Sequence, residues 1–167
     1  HVSNPNTSLP RQRFRTIRAK HIILASGALE RHIAFNNNDI PGVMTANAAR
    51  HYLNRYGVLT GKNIVITTNN DSVYQTAIEL HVAGSKVTIV DSRKDISIDL
   101  PKEIELHLET LPFSINGSKK IESLDVCKVN DKTHKNTIIC DQVLVSGGWS
   151  PIVHLVSHPG IKPVWNE

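Results

Sequence analysis

Short β-branched runs alternate with polar turns along this chain, and residues 62–93 show the plan most fully. Residues 62–67 (Lys-Asn-Ile-Val-Ile-Thr) read as a strand and 68–72 (Thr-Asn-Asn-Asp-Ser) as a polar turn. Apolar Val73, Ala77, Ile78 and Leu80 follow at helical spacing, closed by Gly84. A second run, Lys86-Val87-Thr88-Ile89-Val90, ends in Asp91. Strand, turn, helix, strand, acid is a βαβ unit with the order and length of one dinucleotide-binding half. Asp91 stands where such folds contact an adenosine ribose, a little over ~20 residues past the turn.

The turn departs from that chemistry. In G-x-G-x-x-G the glycines make the tight turn, admit the pyrophosphate and let helix and strand pack closely. Registered on the helix start, Thr68, Asn70 and Val73 take those places, and each carries a Cβ. Asn tolerates positive φ, so a tight turn survives; room for a pyrophosphate does not. Asp71 or Ser72 is expected to satisfy the free N–H groups at the helix start, and Asp71 to repel phosphate. The unit is therefore expected to be structural and to bind neither NAD nor NADP.

On either side the pattern continues. Residues 1–10 read as loop. Arg11, Arg13, Arg15 and Arg18 alternate with Phe14 and Ile17 as a strand with one buried face. Residues 20–25 (Lys-His-Ile-Ile-Leu-Ala) form a continuous apolar run, expected to be a strand buried on both faces of a parallel sheet. It ends in small residues, Ala25-Ser26-Gly27-Ala28, which let a backbone or a ligand approach closely. After the Pro41-Gly42 turn, Ala46, Ala49, Tyr52, Leu53 and Tyr56 predict an amphipathic helix from an N-cap at Thr45 to Gly57, with His51 and Arg55 on its surface. Residues 92–102 are polar. Residues 104–115 read as a strand running into a bend at Pro112, or as a short helix. Strands over 121–129 and 137–140 make a hairpin around a polar turn that includes His134. Residues 141–148 repeat the earlier theme, a buried strand ending in Gly147-Gly148.

The two similar strand ends, at Gly27 and Gly147, predict one sheet interrupted by an insert. The fold class is then α/β: a Rossmann-like FAD/NAD(P)-binding fold, a parallel sheet with helices plus a β-meander, inserted between segments of a second dinucleotide-type domain. Residues 1–40 would be trailing strands of the first domain, 41–141 the insert with its hairpin, and 142–167 the return.

Composition narrows the function classes. The 167 residues carry a net charge of +4 and a pI near 9.2, with the basic residues mostly dispersed; that is not a nucleic-acid footprint. Cys127 and Cys140 lack C-x-x-C spacing, so neither a zinc site nor a redox pair is indicated. No apolar run approaches the ~18 residues of a membrane span and no signal peptide is visible, which fits a cytoplasmic protein. No catalytic or metal-ligating constellation stands out. The chain opens on a polar segment without Met and reads as an internal piece of something longer.

The arrangement resembles the two-dinucleotide-domain flavoproteins of the pyridine nucleotide-disulphide oxidoreductase type. Ala25-Ser26-Gly27 is similar to that family's strand end over the first dinucleotide, and residues 141–151 to its second copy. Residues 19–31, 41–44, 52–57, 67–72 and 145–155, in this order, resemble the alpha subunits of heterotetrameric sarcosine oxidases; related amine or imino-acid dehydrogenase alpha subunits share the first two motifs. The resemblance implies oxidative demethylation of sarcosine to glycine, with electrons passing through flavins to oxygen. It implies an NAD in the first domain on a glycine-rich loop upstream of His1, and FAD and FMN elsewhere in a complex with other subunits. Ala25, Ser26, Gly27, Gly147 and Gly148 would lie near the NAD, and no catalytic residue would fall within this chain. Two other readings are a non-catalytic subunit-docking module with a vestigial Rossmann fold and a plain NAD(P)H-dependent reductase, the latter opposed by the missing glycines.

Overall fold

The computed structural model describes residues 12, 14–157, 160, 162 and 164. The loop predicted over residues 1–10, together with Arg11 and Arg13, lies outside them, as do 158, 159, 161, 163 and 165–167 of the predicted return segment. The chain divides into two compact units, residues 27–152 on the one hand and 1–26 with 153–167 on the other.

The larger unit is a three-layer sandwich. Its middle is a five-stranded parallel sheet of β2 (Val43–Thr45), β9 (Gln142–Ser146), β3 (Asn63–Thr68), β4 (Lys86–Asp91) and β5 (Glu105–His107), in that spatial order. Helices α1 (Ala46–Tyr56) and α2 (Tyr74–Val82) cover one face. An antiparallel sheet of β6 (Thr110–Gly117), β7 (Ile121–Lys128) and β8 (Asp131–Ile139) covers the other. The two-residue period of a strand sorts its side chains between these layers. Ile64, Ile66, Val87, Ile89 and Leu144 pack with Ala46, Ala49, Tyr74, Ala77 and Leu80 of the helices. Val65, Val90, Val143 and Val145 pack with Ile115, Leu124 and Val126 of the hairpin layer. Each buried Val, Ile or Leu among these contributes about 1.5–3 kcal/mol.

The βαβ unit forms as its pattern predicts, with β3 and β4 parallel and adjacent. Helix α1 also matches, and Gly57 ends it in the left-handed region at φ 66°, its N–H turned back on the Leu53 and Tyr52 carbonyls. Arg50 of α1 holds Glu79 of α2 through two hydrogen bonds of 2.8 and 2.7 Å, and Asn54 and Gln75 donate to the same carboxylate. The hydrogen bond from Arg50 holds the Glu79 carboxyl down to about 2.

Several expectations are corrected. Residues 20–25 form no strand: they are exposed coil, with Ile23 92% exposed. A buried parallel strand needs hydrogen-bonded neighbours and covered faces, and the described residues supply neither. Residues 14–19 are likewise exposed coil. Second, residues 142–146 do not return to a sheet shared with 20–25; they are β9, between β2 and β3 of the central sheet. The units divide at 26/27 and 152/153 rather than at 40/41 and 141/142. Third, residues 104–115 hold two strands, β5 and β6, parted by Glu109 at φ 50°, and Pro112 sits at a register shift of β6. His134 is within β8 rather than in a turn.

A short ribbon carries the chain into and out of the larger unit. β1 (Ala28–Glu30) pairs antiparallel with β10 (Trp149–Pro151), and Ile152 N–H donates to the Gly27 carbonyl at 3.0 Å. Entry and exit are thus adjacent, as an inserted domain requires. In the other unit, a single turn of helix, α3 (His154–Ser157), is the one regular element among the described residues. Among the described residues no helix is long and apolar enough to cross a membrane.

Candidate functional site

In open α/β sheets, ligands bind beyond the carboxyl ends of the strands, where the chain order reverses. Here that place lies between β3 and β9: β3 continues through α2 to β4 on one side, while β9 pairs on the other. It is therefore where a dinucleotide would be sought in this unit.

The crevice is filled by the protein's own side chains. Asn70 reaches across it, donating from Nδ2 to the Ser146 carbonyl at 3.1 Å. Its Oδ1 accepts from the Ser72 N–H at 3.1 Å and the Ser72 hydroxyl at 2.6 Å. Asn70, rather than Asp71 or Ser72, is thus the cap of the helix start. Trp149 Nε1 donates to Ser72 Oγ at 2.9 Å from the opposite wall. Thr68 Oγ1 is engaged with Asn70 O and N at 3.0 and 3.1 Å. The third glycine position, Val73, is fully buried in the helix-side core. The turn opens as one round of 3₁₀ helix, Asp71–Val73, before α2 begins.

The ribose acid is withdrawn as well. Asp91 is completely buried. Its carboxylate accepts from Tyr74 Oη at 2.7 Å, the Arg93 backbone N–H at 2.9 Å, and Arg93 Nε and Nη2 at 3.1 and 2.8 Å. The remaining arm of Arg93, Nη1, binds Asp71 at 2.6 Å. One guanidinium therefore joins the end of β4 to the turn after β3. Burial first, and then the hydrogen bond to Asp91, push the Tyr74 hydroxyl well above its ordinary value. The hydrogen bond to Asp91 raises Arg93 against its partial burial, and Asp71 adds to it. Both groups hold their protons at any physiological pH.

A dinucleotide does not fit here. The phosphate cradle holds Asn70 and Val73, and the acid that would take a ribose hydroxyl has every approach occupied by Tyr74 and Arg93. Tyr74, Arg93 and Trp149 escaped the sequence reading. Their one advance signal was the proximity of Arg93 to Asp91, two residues apart.

The five small residues singled out from the sequence have different surroundings. Gly147 donates its N–H to the Arg31 carbonyl at 2.7 Å, and Arg31 N–H returns to the Gly148 carbonyl at 2.8 Å. A Cβ on Gly147 would sit 3.2 Å from Arg31 O and 3.3 Å from His32 O, so the close approach this glycine permits is to the protein's own backbone. Gly27, at φ 73°, has no heavy atom within 4 Å of where a Cβ would be. Ala25 and Ser26 are exposed coil belonging to the other unit. Cys127 and Cys140 are buried free thiols, and burial pushes Cys140 up to about 12. Among the described residues no group of three or more His, Cys, Asp or Glu side chains could hold a metal ion.

The parallel sheet, the two helices and the antiparallel layer define a class: this is an α/β, Rossmann-like fold, of the kind found in FAD/NAD(P)-binding oxidoreductases. A FAD-dependent pyridine nucleotide-disulphide oxidoreductase from Desulfovibrio vulgaris superposes with a TM-score of 0.63 at 17% identity, over 89% of this chain and 40% of that one. Within the class, the chain resembles the alpha subunit of sarcosine oxidase along nearly its whole length. It is 42% identical to that of Rhizobium meliloti (strain 1021) and 34% identical to that of Corynebacterium sp. (strain P-1), over 99% of this chain in both cases. It spans 17% and 18% of the length of those two relatives. No family model matches the chain.

Proposed function

We propose that this chain is part of the alpha subunit of a multi-subunit, sarcosine oxidase-like oxidoreductase that demethylates sarcosine to glycine. Its likeness to those subunits over 99% of its length carries the reading. Bound flavins would accept the electrons of the amine and pass them to oxygen. The parent protein would also hold NAD, in the first dinucleotide domain.

The part played by these residues is architectural. The larger unit is an inserted domain whose own dinucleotide crevice is closed by Asn70, Trp149, Tyr74 and the Arg93 clamp, so it holds neither NAD nor NADP. The adjacency of Gly27 and Ile152 supports the insertion. Ala25, Ser26, Gly27, Gly147 and Gly148 would lie near the NAD of that first domain. The larger unit orients and braces; the amine chemistry lies elsewhere in the complex.

Purification of the full-length parent complex tests this. Extraction should release flavin and NAD, and sarcosine should drive oxygen uptake with formation of glycine. A complex without flavin, or one that oxidises another amine and leaves sarcosine untouched, overturns the assignment.

A further inference from the structure

Asn116 and Gly117 make the one Asn-Gly step in the 167 residues. They end β6, where the chain turns toward β7, and both are exposed. The pairing with β7 shifts register between them. The turn requires the glycine. Its φ is 136°, and a Cβ there would overlap the Lys120 carbonyl oxygen and stand 3.3 Å from the Glu122 nitrogen. A glycine nitrogen has no neighbouring side chain to shield it, so the fold itself keeps a bare backbone nitrogen next to the Asn116 amide.

That amide joins the three strands of the antiparallel layer. Asn116 Nδ2 donates across to β7, to Ser123 Oγ at 3.1 Å and Asp125 Oδ1 at 2.9 Å. The same Oδ1 accepts from Thr137 Oγ1 of β8 at 2.7 Å. Both of these donors to Asp125 are neutral, and among the described residues no cation pairs with its carboxylate. A second negative charge at position 116 would therefore meet the first with nothing between to offset it.

We propose that Asn116 is a site of covalent modification, losing ammonia through a cyclic imide with Gly117 and ending as a carboxylate beside Asp125. The Gly117 backbone nitrogen bonds to Asn116 Cγ. The Cγ–Nδ2 bond breaks, and the nitrogen leaves as ammonia with the proton of the backbone N–H. Water then opens the imide. Attack at the former side-chain carbonyl gives Asp, and attack at the backbone carbonyl gives isoaspartate. Water and the amide are consumed, ammonia is released, and no oxidant or further reactant enters. To react, Asn116 gives up hydrogen bonds that water can replace at this exposed strand end. Either product loses the donor to Asp125 and sets like charges across the strand pair, which destabilises it. Isoaspartate also adds one carbon to the main chain, at the place where the register already shifts. The reaction needs only this chain and water, whichever amine the parent protein oxidises.

The test incubates the full-length parent protein in mildly alkaline buffer beside a synthetic peptide of residues 111–122, with peptide mass spectrometry and isoaspartyl methyltransferase labelling. The expected result is a mass gain of NH exchanged for O at position 116, above that at every other asparagine of the chain, with methyl label on the same peptide. Asn116→Gln should abolish both signals. Asn116→Asp makes one product directly, and should speed hydrogen–deuterium exchange over residues 114–117, 123–126 and 136–138 by about fivefold or more. A folded protein that keeps Asn116 intact while the free peptide is converted overturns the proposal. So does conversion at 116 no greater than at the other asparagines. An Asn116→Asp protein exchanging at the parent rate overturns the role given to Asp125.

Discussion

Replacing Arg93 with Ala isolates the clamp that closes the crevice. Asp91 is fully buried, and Arg93 supplies both its counter-charge and its Nε and Nη2 donors. Removing one partner of a buried pair costs about 3–5 kcal/mol, because the other charge is left uncompensated. Two donors survive in the variant, Tyr74 Oη and the backbone N–H of residue 93, and the Arg93 side chain is 30% exposed. The lower end, about 3 kcal/mol, is therefore expected. With an m-value of about 1–3 kcal/mol per molar urea, the unfolding midpoint should fall by about 1 M or more. Two companions give the ranking. Tyr74→Phe removes one hydrogen bond to a charged group and should cost about 1.5–3 kcal/mol. Asp71→Ala removes the outer arm of the clamp, where Asp71 is 65% exposed, and should cost only about 0.2–1 kcal/mol. Urea denaturation followed by circular dichroism reads all three. Asp91→Asn in the Arg93→Ala background should recover part of the loss, since the charge left unpaired is then gone. An Arg93→Ala variant within about 1 kcal/mol of the parent, or one no worse than Asp71→Ala, would refute the clamp.

Three further outcomes follow from named contacts. Glu79 is depressed from 4.5 to about 2 by its hydrogen bond from Arg50, so its contribution is complete above its unfolded value and is lost as pH falls from about 4.5 toward 2; the stability difference between the parent and Glu79→Gln should close across that window in acid titrations. Gly147→Ala should destabilise by about 1–3 kcal/mol in the same urea assay, because its Cβ meets the Arg31 and His32 carbonyls. Cys140, buried and pushed up to about 12, should resist alkylation at pH 8 in the native state and react on unfolding, which thiol labelling with mass spectrometry checks.

The βαβ unit was legible because β3 and β4 are short, continuous β-branched runs, buried along nearly their whole length, on either side of the helical spacing in α2. Periodicity could not assign β9. A strand buried on both faces reads alike whichever parallel sheet holds it, so Gly147 suggested a return to the first domain while the backbone pairs β9 with β2 and β3. The first half of β8 was hidden for the opposite reason: it is an edge strand exposed on both faces, and Lys132, His134 and Lys135 carry no alternation. At α1 the apolar spacing was visible, but Tyr52 and Tyr56 were counted with Ala46 and Ala49 although they lie on a different face. The missing glycines of the crevice were plain in the sequence. Its plug was not, because Asn70 meets Ser146 and Tyr74 meets Asp91 only in the folded protein, across 76 and 17 residues of chain.

Hydrogen–deuterium exchange of the full-length parent protein, with and without saturating NAD, tests the closed crevice most directly. Peptides covering residues 66–74 and 88–93 should exchange at the same rate in both states, with any protection confined to regions outside 27–152 and to the glycine-bearing ends of that unit. Protection of the 66–74 and 88–93 peptides by NAD would contradict the account, since it would show that the turn around Asn70 admits a phosphate and that Asp91 can leave Arg93 for a ribose.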